Sequence, residues 1–282
     1  MIITQKNICV QGKHHKPIIT DVFYNDTKQQ KSIVVFCHGY KGFKDWGAWD
    51  LVARAFAKAG FFFLKFNFSH NGGTAEQPID FPDLEAFGQN NYVKELDDLD
   101  TIVDWVTSAG FTYKDFVNSK DIILIGHSRG GGITIIKASE DPRITKLITW
   151  ASVSDFESRF PKGAAFNTWK KEGVSYVENG RTKQQMPHYF QFYTSFIAQR
   201  DRFTISKMIK NIKIPYLVIH GGNDPTVTIK EAESLHDWNP ESTLFIQEGA
   251  DHVFGAKHPW NCLELPLDLS IIVEKSINFA IL

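Results

Sequence analysis

Strand-length apolar runs recur along this chain, with helix-patterned stretches between them. "SIVVFCHG" (32–39) leads into "DWGAWDLVARAFAKAG", and "FFFLKFNF" (61–68) is followed, after a polar loop to about residue 88, by "NNYVKELDDLDTIVDWVTSAG". "DIILIG" then precedes "RGGGITIIKASE", "ITKLITWAS" spans 144–152, and "IPYLVIHG" (214–221) precedes "IKEAESLHDW". "STLFIQ" comes before a last helix near 267–280. A run that is apolar at every position has both faces buried, so the helices between such runs must cover a parallel sheet on its two sides. Trp49, Val52, Phe56 and Ala59 fall at helical spacing with Gly60 just past the end. Val93, Leu96, Leu99, Ile102, Val103 and Val106 make a second stripe. "GFFFLKFNF", broken by Lys65, is far short of the roughly 18 apolar residues of a membrane span and reads as an interior strand.

Two segments leave this pattern. "NICVQG" and "PIITDVFYN" read as an antiparallel pair added to one edge of the sheet. Residues 155–205 are rich in aromatics and contain "VSYVENGRTKQQM", where Asn179-Gly180 signals a tight hairpin turn. The expected organisation is a core of residues 1–154 and 206–282 carrying a cap, or lid, inserted at 155–205. No internal repeat or low-complexity tract interrupts it.

Lys and Arg number 31 against 32 Asp and Glu, which removes the electrostatic argument for nucleic acid or an anionic membrane as partner. Cys9, Cys37 and Cys262 are odd in number and far apart, fitting a reducing compartment better than a disulfide framework. "MIITQKNICVQGKHHK" holds no apolar segment of export-signal length, so a cytoplasmic location is expected. His14-His15 has no third ligand in view and reads as a polar turn, so no metal or other cofactor is expected.

Between the "DIILIG" strand and the following helix stands Gly126-His127-Ser128-Arg129-Gly130, a G-x-S-x-G turn. Such a turn is cramped, so glycine flanks the serine to avoid clashes, and the hydroxyl is thrust out beside a helix N-terminus. Negative charge developing there meets unpaired N–H groups and the positive end of the helix dipole. The competing reading is a serine that merely caps the helix. Gly131 and Gly132 would let that helix lie close against the sheet.

A serine hydroxyl needs a base, and the base needs a carboxylate to orient it. Both should come from loops at the C-terminal ends of the strands. "IPYLVIHGGNDPTV" offers Asp224 after a Gly-Gly turn, and "STLFIQEGADHVFG" offers His252. His258 and His220 compete with His252, and Asp251 and Glu248 compete with Asp224, from poorer positions. Asp224 alone could also be read as a turn residue bonding nearby amides. The loop "HGYKGFKDW" is the expected source of a second oxyanion donor. Tyr40 and Arg129 are the candidates for the two backbone N–H groups, with His38 as a hydrogen-bonded structural residue and Cys37 as a buried strand residue.

With these residues in order, the sequence resembles the α/β-hydrolase superfamily. "HGYKGFKDW", "GHSRGG", "VIHGGNDPTV" and "GADHVF" are similar to its serine-aminopeptidase and dienelactone-hydrolase-like group, over about residues 30–150 and 210–280. The resemblance implies an α/β fold with an eight-stranded, mostly parallel sheet, its first strands antiparallel, and a cap inserted after the sixth strand. A cap carrying a hairpin is similar to that of bacterial cinnamoyl and feruloyl esterases. "FNFSHNGGT" places Ser69-His70-Asn71 where many relatives have an Arg-Gly pair, and a serine stands where true dienelactone hydrolases have cysteine. The function expected is cleavage of small carboxylic esters, the aromatic insertion supplying an apolar pocket. A small-substrate peptidase or amidase, or a ligand-binding protein on the same scaffold, are the alternatives.

Overall fold

β1 (Ile2–Gln11) and β2 (Pro17–Asn25) pair antiparallel at one edge of a computed structural model that describes residues 1–282. β1 begins at Ile2 rather than at Asn7, because its pairing continues across an irregularity between Gln5 and Ile8, where Asn7 takes φ 58°. A kink of this kind breaks up the row of unpaired backbone groups that an edge strand otherwise presents.

The apolar runs form β3 (Lys31–Cys37), β4 (Phe62–Asn67), β5 (Val117–His127) and β6 (Ile144–Trp150). After a separate hairpin, β7 (Val174–Glu178) and β8 (Gln185–Tyr189), come β9 (Tyr216–Gly221) and β10 (Thr243–Gln247). The large sheet has eight strands in the order β1-β2-β4-β3-β5-β6-β9-β10. β2 runs antiparallel to β4, and every pairing from β4 to β10 is parallel. This is the mostly parallel, helix-flanked α/β sheet that the sequence implies.

The helices are α1 (Trp49–Lys58), α2 (Leu84–Gly88), α3 (Tyr92–Thr107), α4 (Arg129–Glu140), α5 (Gly163–Glu172), α6 (Gln191–Ala198), α7 (Ile205–Met208), α8 (Ile229–Trp238) and α9 (Leu267–Ile281). Alternate residues of β3 feed two cores. Ile33, Val35 and Cys37 pack with α3, α4 and α8, whereas Val34 and Phe36 pack with α1 and α9. That two-residue alternation is what lets a single strand bury both faces. On α1, Ala53 and Ala57 complete the buried stripe, and Ala59, expected there, is exposed at the helix end. No helix is long and apolar enough to cross a membrane.

Lys65 sits in a buried strand because its charge is matched. Its Nζ lies 2.7 Å from Asp21, 2.8 Å from Asp45 and 2.8 Å from Asp50, and its side chain is fully buried. Burial alone would lower its pKa, but the three carboxylates hold it above the ordinary lysine value.

Between β6 and β9 the chain leaves the sheet and builds α5, the β7–β8 hairpin, α6 and α7. Aromatic residues between β6 and β9 root on α3: Tyr92 stacks on Phe156, which precedes α5, at 4.0 Å and meets Phe192 of α6 edge-on at 4.7 Å. The hairpin is present but its turn is not the expected two-residue one. Asn179 opens a loop over residues 179–184, its N–H reaching Gln184 O and its Oδ1 accepting from the N–H groups of Arg181 and Thr182. The segment read as a polar loop to about residue 88 ends in α2, with Asp83 as N-cap accepting from Ala86 N–H at 2.8 Å.

Candidate active site

Ser128 stands between β5 and α4 with φ 56° and ψ −120°. A residue with a side chain pays a steric penalty at positive φ, so the surrounding structure must hold it there. Packing allows no Cβ on either side. One added at Gly126 would lie 2.4 Å from both Gly130 O and Thr134 Oγ1, and one at Gly130 would lie 2.5 Å from Cys37 O and His38 O. Gly131 abuts Ser152 just past β6, whereas Gly132 faces Phe156 and Ile205 of the inserted segment rather than the sheet.

Three expected side chains come together. Ser128 Oγ donates to His252 Nε2 at 3.0 Å, and His252 Nδ1 donates to Asp224 Oδ2 at 2.7 Å. Asp224 follows β9, and its Oδ1 accepts from the N–H groups of Thr226 and Val227 at 2.8 and 2.9 Å. Burial pushes this carboxyl up, but the His252 hydrogen bond and the two amides outweigh it, and its pKa lies below the usual carboxylate value. His258 is not in this chain of contacts: its Nδ1 accepts from Gly47 N–H. His220 donates from Nε2 to Val227 O at 2.8 Å, behind Asp224. Asp251 Oδ1 serves Val253 and Gly255 N–H groups.

The loop after β3 lies against the serine, and a Cβ on Gly39 would come 2.8 Å from Ser128 Cβ. Tyr40 N–H makes no hydrogen bond to the protein. Arg129 is the first residue of α4, where N–H groups have no intrahelical acceptor. His38 is buried, donates from Nδ1 to Gly39 O at 2.9 Å and accepts Phe68 N–H, and burial lowers its pKa to about 4. Asn71 supports the same loop by donating to Gly42 O, and Ser69 N–H is taken by Asp98 Oδ2 at 2.7 Å. Those contacts give the Ser69-His70-Asn71 turn a scaffolding place beside the site.

Two cavities meet at Ser128. The larger, about 560 Å³, is walled mainly by the inserted segment, including Phe156, Phe160, Trp169 and Phe192. The smaller, about 130 Å³, is bordered by His252, His127, Trp49 and the loop after β3. Tyr40 and Ser128 border both.

Several residues here were not singled out in the sequence. His127 Nε2 donates to His252 O at 2.9 Å, tying down the backbone that carries the His252 imidazole. Its only sequence signal was its place beside Ser128. The Tyr40 hydroxyl bonds His188 Nε2 of β8 at 2.9 Å, linking the loop after β3 to the inserted hairpin. Arg129 Nη1 donates to Glu95 Oε1 of α3 at 3.3 Å. Burial raises the Glu95 carboxyl, with Arg129 opposing the rise. Neither pairing has a local sequence signature. His14, by contrast, pairs with Asp97 at 2.9 Å.

A sequence model described as the alpha/beta hydrolase family matches residues 34–259. A Mycoplasma genitalium protein whose name places it among esterases and lipases is 21% identical over 250 residues, covering 84% of each chain. The structure of Est1E from Butyrivibrio proteoclasticus is similar with TM-score 0.69 at 14% identity, covering 98% of both chains, and the same protein has been solved with ferulic acid bound. A dienelactone hydrolase from Anabaena variabilis matches with TM-score 0.64 at 18% identity, covering 99% of this chain and 97% of the other.

Proposed function

Because the chain belongs to the alpha/beta hydrolase family, we propose that it is a serine hydrolase that cleaves carboxylic esters through an acyl-enzyme intermediate. The observation that carries this reading is the continuous relay from Asp224 through His252 to Ser128 at the mouth of an aromatic-lined cavity. Ser128 Oγ attacks the ester carbonyl as His252 Nε2 takes its proton, and Asp224 keeps the ring oriented and stabilises the imidazolium. The oxyanion forms against the N–H groups of Tyr40 and Arg129. Collapse expels the alcohol, which takes the proton from His252. Water then repeats the sequence on the acyl-serine and releases the acid.

His252 borders the small cavity and not the large one. The leaving oxygen must lie beside His252 to be protonated, so the acyl group belongs in the large cavity. The name of the Mycoplasma genitalium relative favours esters over amides as substrates. Free Cys9, Cys37 and Cys262 fit the reducing cytoplasm as its place of action.

Ser128→Ala should lower kcat/KM on p-nitrophenyl butyrate by at least ~10³-fold and abolish labelling by a fluorophosphonate, with the melting temperature within a few degrees of wild type. Undiminished hydrolysis by the variant would overturn the reading. Labelling of the wild type without turnover of any ester or anilide would favour a binding protein on the same scaffold. Faster cleavage of anilides than of matched esters would favour the amidase.

A further inference from the structure

The large cavity is apolar except for a few groups, and its charged residues are both arginines: Arg129 and Arg159 line it, and no aspartate or glutamate does. Arg129 directly follows Ser128, and its side chain is only 16% exposed. Its guanidinium lies over the rings of Tyr40, Tyr92 and Phe192 at 4.4, 5.5 and 5.2 Å. A guanidinium carries five N–H donors in a planar fork. Here the one hydrogen bond it makes to the protein runs from Nη1 to Glu95 Oε1, an oxygen already bonded by Asn90 Nδ2 at 2.7 Å. Nε and Nη2 have no partner, and neither is among the side-chain polar atoms sealed inside the protein. Glu95 stays behind the arginine and outside the cavity wall. Arg159 is held in a similar way, paired with Glu231, which does not line the cavity either.

A cation with unspent donors in a poorly hydrated chamber interacts with an anion more strongly than the same pair does in water. The acyl group lies on that side of Ser128, because His252 claims the other side for the leaving alcohol. We propose that the acyl group this protein accepts carries a second carboxylate, received by the free donors of Arg129. The substrates would then be half-esters of dicarboxylic acids, the ester carbonyl at Ser128 and the free carboxylate in the large cavity. This rests on the reading of Ser128 as the nucleophile.

The test compares monomethyl esters of dicarboxylic acids, from succinate to azelate, with methyl esters of neutral acids of the same chain length. The alcohol is then constant, and turnover is followed by pH-stat. At one chain length or more, the wild type should favour the half-ester by ~10-fold or more in kcat/KM, the worth of one or two charge-assisted hydrogen bonds. Arg129→Met should bring that ratio to one or below, and Arg129→Lys should keep part of it. The ratio is the readout because Arg129 also supplies a backbone N–H to the oxyanion, so absolute rates move for a second reason. If Arg129 served only to tie α3 to α4 through Glu95, both variants would lose rate on charged and neutral esters alike, and the ratio would stay. An unchanged ratio in Arg129→Met, or no half-ester preferred at any length while neutral esters are cleaved, overturns the proposal and leaves the esterase reading standing. Absence of turnover above the Ser128→Ala background on half-esters and neutral esters alike, p-nitrophenyl butyrate included, overturns both.

Discussion

Asp224 does its work with two oxygens that have separate tasks. Oδ1 is fixed by the amides of Thr226 and Val227, which leaves Oδ2 aimed at His252 Nδ1. An amide in place of the carboxylate would keep the shape but favour the imidazole tautomer with its proton on Nε2, facing Ser128. Asp224→Asn should therefore lower kcat by ~10⁴-fold on p-nitrophenyl butyrate, with KM changed much less. A loss below tenfold would mean that Asp224 is a turn residue and no more. The three residues of this relay could be picked out in the sequence because each follows a strand whose apolar run is plain, and strand ends converge in a parallel sheet. The roles of the Arg129 and Tyr40 side chains could not. Their partners, Glu95 and His188, are set by how α3 and β8 pack, and no spacing rule joins positions so far apart.

At the scale of elements, α5 is held by few buried groups for its ten residues. Trp169 is its one buried residue, packed against Phe190 at 5.1 Å and donating from Nε1 to His188 O at 2.7 Å. Removing the indole costs about 3–5 kcal/mol where a core is rigid, but here α5 can lift away from β8 instead of leaving a cavity. Trp169→Ala should raise KM several-fold for bulky acyl esters, with acetate turnover changed less. Amide exchange should quicken over residues 163–189 while the large sheet stays protected. Uniform loss of protection across the sheet would show that the segment is part of one cooperative core. The same region shows where pattern reading stops. The hairpin of β7 and β8 was legible from Asn179-Gly180, but that pair suits several turns. The side chain of Asn179 selected the longer one by capping two amides of the loop. α2 is too short for its apolar residues to show a period, and only Asp83, in an N-cap position, marks its start.

For the molecule as a whole, the sheet and its two layers of helices were written in the alternation of apolar runs, whereas its response to pH depends on burial that only the packed structure reveals. Burial lowers the pKa of His38 to about 4 and of His127 to about 3. His70 and His188 are depressed for the same leading reason, to about 3 and about 4. A histidine depressed on folding contributes stability that is complete above its unfolded value of about 6.5 and is lost as pH falls toward the folded value, because the unfolded chain takes up the proton first. For deeply buried His38 and His127 that is about 1.4 kcal/mol each per pH unit below 6.5, against a total stability of about 5–15 kcal/mol for a domain. Asp98 acts the other way. Burial raises its carboxyl to about 7, so its contribution improves as pH falls from 7 toward 4. The raised carboxyls of Asp98 and Glu95 oppose six depressed imidazoles, His220 and His258 among them, and the imidazoles prevail. Carboxylates depressed on folding, such as Asp224, enter only below about pH 4. Urea unfolding should therefore show stability near its plateau at pH 7.5 and falling steeply between pH 6 and 5, with a net uptake of protons on unfolding. A midpoint urea concentration that stays flat or rises over that interval would mean that these imidazoles are hydrated enough to titrate in the folded protein.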